Sequence, residues 1–136
     1  MANIYQKSFN RIFVVGSCFF IGASAFAEPY TTIQTPPDLA IASIASKETL
    51  QQLVLANLIV SNCKIPDLTT GDAALLAGTA QAVAGHMEIS SDKYVSDYID
   101  PAMSEIAAPD SCNRYAGAAR DRLAHVKELG GTIINK

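Results

Sequence analysis

Histidines, cysteines and carboxylates are the side chains in this 136-residue chain whose types and spacing could do chemistry. His86-Met87-Glu88 matches the H-x-E half of a zinc deaminase signature, which also needs P-C-x-x-C. The nearest approach to that second half is Pro109-Asp110-Ser111-Cys112, so the pattern fails. His125 lies four residues after Asp121, the spacing of an ordinary pair on one helix face. Asp97 and Asp100 could in principle share acid–base work, but acids three apart on an exposed helix are commonplace. No G-x-S-x-G, phosphate-binding loop or G-x-G-x-x-G occurs. Two histidines do not assemble a convincing zinc site, and the expectation is a chain without cofactor, metal or turnover.

The cysteines follow from the compartment. Lys7 and Arg11 precede an uncharged run, 12–22, and the small residues after it end in Ala25-Phe26-Ala27. This is the layout of a cleavable export signal over residues 1–27. A retained anchor is one alternative, and acylation of Cys18 after Val15-Gly16-Ser17 is another. The short signal has a bacterial character, and the periplasm is the expected destination. Cys63 and Cys112 then remain, in an oxidising compartment where two cysteines most often pair. The competing reading is a reactive thiol served by His86 or His125, which leaves the second cysteine without a role.

Charge narrows the partners. Without Lys7 and Arg11 the chain keeps eight bases against 13 acids, a net −5. Residues 65–110 hold eight acids and a single base, Lys93. Such a surface does not suit nucleic acid, whose phosphates need concentrated basic groups, but it can steer a basic protein. Asp92, Tyr94, Asp97, Tyr98 and Asp100 cluster at one helix start and are the expected partner-binding residues. The alternative is that both tyrosine rings pack into the core and show only their hydroxyls.

The elements that must position these residues are helices. Residues 28–37, with three prolines, form an extended arm, and 38–136 form the folded domain. Ser46 caps a nearly all-apolar helix, 50–60, which belongs in the middle of a bundle and should stop near Cys63, before Pro66. Thr69-Thr70-Gly71-Asp72 starts an Ala-rich helix, in which Gly78, Ala82 and Gly85 lie on one side and invite another helix close. Ser90-Ser91-Asp92 starts a third helix, and Pro101 should end it or open a short fourth turn through Met103 and Ile106. Pro109-Asp110-Ser111 opens the last one, with Cys112, Ala116, Ala119, Leu123 and Val126 as its apolar stripe and Gly130-Gly131 as its stop. No β segment is expected. The fold class is therefore all-α, a small four- to five-helix bundle tied by one disulfide.

With the helices placed, the domain resembles the periplasmic immunity proteins that neutralise type VI secretion amidase effectors. The resemblance rests on LVLANLIVSNC (53–63), GDAALLAGTAQAVAGHMEI (71–89), SSDKYVSDYI (90–99) and CNRYAGAARDRL (112–123). It implies a helical protein, often a homodimer, that occludes the cleft of a peptidoglycan-cleaving amidase. The prolines at 101 and 109 and a shorter cysteine-to-tyrosine spacing depart from that pattern, so no individual inhibitory residue carries over. An envelope stress or acid chaperone and a structural subunit of an envelope secretion system are the rival expectations.

Overall fold

The computed structural model describes residues 31–135; the expected signal, its cleavage site and Cys18 lie outside the described residues. Helix α1, Asp38–Ile44, follows directly on Pro37, whose carbonyl accepts from the Ala40 and Ile41 amides. Helix α2, Lys47–Asn62, is capped by Ser46, whose Oγ accepts from the Thr49 amide at 3.1 Å. It buries Leu50, Leu53, Val54, Ala56 and Ile59. These residues point several ways around the helix because α2 packs against four different elements. Its exposed positions are polar, among them Lys47, Glu48, Gln51, Gln52, Ser61 and Asn62.

Helix α3, Thr70–His86, opens with a capping box: the Thr69 amide donates to Asp72 and the Asp72 amide to Thr69 Oγ1. It ends at His86, and Glu88 just beyond adopts φ 56°, in the left-handed region. His86 and Glu88 therefore belong to a helix stop. Leu75, Leu76, Ala80 and Val83 carry α3 into the core.

At Pro101 the third helical stretch takes the second of its two expected courses, a short further helix through Met103 and Ile106. Helix α4, Ser91–Tyr94, a π-helical turn, Val95–Ile99, and helix α5, Asp100–Ile106, follow one another without interruption. The Asp100 amide reaches back five residues to the Val95 carbonyl. A proline inside an α-helix lacks an amide and drives its ring toward the carbonyl four residues back. The wider π turn just ahead of Pro101 relieves that conflict, so the helix passes through instead of ending.

Helix α6, Ser111–Glu128, buries Ala119, Leu123 and Val126 of its predicted stripe. It stops in a Schellman motif: Gly131 donates to the Val126 carbonyl and Gly130, at φ 103°, to the Lys127 carbonyl. Cys63 closes α2 and Cys112 opens α6, with their Cα atoms 5.6 Å apart in a disulfide. The predicted all-α, disulfide-tied class is what the structure shows.

Two expectations need correction. Strand β1, Thr31–Gln34, pairs antiparallel with β2, Thr132–Asn135, in a ribbon whose register sets Thr31 against Asn135 and Gln34 against Thr132. The predicted arm is thus partly sheet. Four-residue strands a hundred residues apart leave no local alternation to read, and their pairing depends on the α6 stop turning the chain back. The second correction concerns the glycines of α3. A Cβ at Gly78 would lie 2.8 Å from Ile33 Cδ1, and one at Gly71 3.0 Å from both Ile133 and Thr31. The space left by glycine admits this ribbon, not another helix, and Gly85 meets nothing within 4 Å.

Candidate functional site

Helices α2, α5 and α6 meet along one face without filling it. Where α6 carries Ala118 and Ala119, a groove of about 480 Å³ opens against Gln52, Leu55 and Ala56 of α2. A second groove, about 300 Å³, lies between α2 and the π turn with α5, lined by Gln51, Asp97, Tyr98, Pro101, Ala102 and Glu105. Leu55 and Tyr115 line both, so the two grooves adjoin along one trough that shares these two residues. Alanine in α6 is what keeps it open: larger side chains at 118 and 119 would close the distance to α2.

Polar groups rim an apolar floor. The Tyr115 hydroxyl donates to Glu105 Oε2 at 2.5 Å, joining α6 to α5 across the trough. Arg122 donates to Gln52 Oε1, joining α6 to α2. Asp97 Oδ1 accepts from Ser96 Oγ at 2.8 Å, and Lys93 Nζ stands 3.6 Å from Oδ2. The Ser96 hydrogen bond, with the Lys93 charge, holds the Asp97 carboxyl below its ordinary pKa. A carboxylate so held accepts hydrogen bonds and attracts cations at neutral pH; it is not a proton donor. His125 pairs with Glu128, its Nδ1 3.7 Å from the carboxylate, and not with Asp121 as its spacing predicts.

The predicted partner-binding set divides on this geometry. Asp97 and Tyr98 line the trough. Asp92 and Asp100 are exposed but do not line it, and Tyr94 is half-buried. Tyr98 is buried, at 7% exposure, and stacks on Tyr94 with ring centroids 6.2 Å apart. The core-packing alternative therefore describes these tyrosines better than two rings offered to a partner. Burial also raises the Tyr94 hydroxyl pKa. Glu105, Gln52, Arg122 and Tyr115 are not among the residues expected from sequence to meet a partner. The available signal was a lone aromatic followed by Ala116-Gly117-Ala118-Ala119, a large ring next to missing volume.

Away from the trough, Asp72 is a buried acid with a structural task. Its Oδ1 accepts from Lys127 Nζ at 2.9 Å while Oδ2 serves the Thr69 cap, so the start of α3 is pinned to the end of α6. Burial pushes the carboxyl pKa up, yet the bonds from Lys127 and Thr69 outweigh it and leave the pKa lowered.

Among the described residues no group of three or more His, Cys, Asp or Glu side chains could hold a metal ion, and no helix is long and apolar enough to cross a membrane. Comparison with known proteins found no matching family model, no matching curated protein and no matching solved structure.

Proposed function

We propose that this chain is an exported, periplasmic binding protein of the amidase-immunity kind, which occupies the cleft of a peptidoglycan amidase effector and performs no chemistry itself. The observation that carries the reading is the Tyr115 trough, an apolar floor with a rim of Asp97, Glu105, Asp121 and Arg122 on a scaffold clamped by a disulfide. Interfaces favour this composition, a tyrosine with polar groups around it. The disulfide accords with an oxidising compartment.

Stoichiometric inhibition tests the proposal. The neighbouring genes are searched for a peptidoglycan amidase, and mature chain, residues 28–136, is titrated into that enzyme, with release of cell-wall fragments as the readout. Activity should fall to baseline at equal molar amounts. Full activity in large excess of the chain would overturn the amidase reading.

A further inference from the structure

We propose that the smaller groove, between α2 and α5, receives an arginine side chain from the protein partner. The inference rests on the binding role proposed above and names the chemistry of contact. Asp97 and Glu105 give the groove two carboxylates, and no cationic residue lines it. Its walls, Leu55, Pro101 and Tyr115, are apolar or aromatic and suit a long methylene stem.

The neighbouring cations do not fill this place. Lys93 reaches Asp97 only at 3.6 Å and its side chain is 72% exposed, so the pair is a weak, water-screened one that an incoming cation can displace. Arg114 stands 5.6 Å from the Tyr115 ring centroid, but both carboxylate oxygens of Asp110 hold its guanidinium at 2.7 and 2.8 Å. Tyr115 occupies one oxygen of Glu105 through its hydroxyl, and fixes the carboxylate in place. A planar guanidinium donates to carboxylates as a fork and packs its flat face on apolar and aromatic walls, which a lysine ammonium does less well.

The test uses the oxidised mature chain and Nα-acetyl-arginine methylamide as the probe, followed by NMR titration, with the citrulline analogue as its uncharged counterpart. Saturable shifts in the millimolar range are expected at Leu55, Ala102, Glu105 and Tyr115, with none from citrulline. Glu105→Gln and Asp97→Asn, each retaining the wild-type spectrum elsewhere, should weaken the probe by roughly fivefold or more. Equal shifts from citrulline would overturn the inference. So would shifts spread evenly over Asp92, Asp100 and Asp110, or unchanged affinity in both variants. Arginine binding in the groove without amidase inhibition would leave this inference standing and remove the amidase assignment alone.

Discussion

Replacing Cys63 and Cys112 together with alanine frees a loop whose ends are 49 residues apart in sequence. Cys63 is half-buried and Cys112 exposed, so the substitution sacrifices little packing, and the effect falls mainly on the unfolded chain. Closing a loop of that length removes unfolded-state entropy worth about 4 kcal/mol at 25 °C. That is a large part of the roughly 5–15 kcal/mol available to a domain. Urea unfolding of oxidised wild type and the double variant, followed by far-ultraviolet circular dichroism, reads the difference. With a denaturant slope of about 1.5 kcal/mol/M, the midpoint should drop by roughly 2–3 M. Reduced wild type should unfold with the variant. A drop under about 0.5 M would refute the reasoning, since the bridge would then add nothing that helix packing does not already supply.

Three further outcomes follow from individual contacts. Asp72→Asn should cost about 1–2 kcal/mol by weakening the cap and releasing Lys127. Because the folded Asp72 pKa is lowered, its contribution is present above the ordinary carboxylate range and lost as pH falls through the folded value, so the variant should show a shallower loss of stability below about pH 4. A Cβ at Gly131 would meet the Val126 carbonyl oxygen and Cγ1 at 2.8 Å, and Gly131→Ala should lower stability by about 1–3 kcal/mol in thermal unfolding. Gly117→Ala, mid-helix with nothing within 4 Å, should instead raise it by about 0.5–1 kcal/mol, and the same sign for both substitutions would contradict the packing described.

Helices α2, α3 and α4 were legible because each starts at a residue with a local mechanism. Ser46, Thr69 and Ser90 accept from backbone amides as their types predict, and Gly130-Gly131 closes α6 in the expected way. The disulfide was expected from the count of cysteines left after the proposed export signal, and it is present. What the sequence hid was non-local. The β1–β2 ribbon pairs segments from opposite ends of the chain, and the groove at Gly78 looks the same in sequence whether a helix or a strand enters it. Pro101 opens the short α5, one of its two expected roles, but the five residues of wider turn ahead of it, which let the helix run on unbroken, leave no local mark in the sequence. At the candidate site, period and charge picked out the exposed helix start at 92–100. The trough depends instead on which helices face one another, and that brings Asp97 of the cluster together with Tyr115 and Glu105 of distant segments.

Contact through the Tyr115 trough is the central claim, and photocrosslinking in the envelope tests it most directly. A photoreactive phenylalanine derivative is placed at Ala118, on the floor of the trough, or at Gln81, exposed on α3. After irradiation, adducts are identified by mass spectrometry. The account predicts a discrete adduct with a peptidoglycan amidase from position 118 and none from position 81. Silence at 118, or the same adduct from both positions, would contradict it.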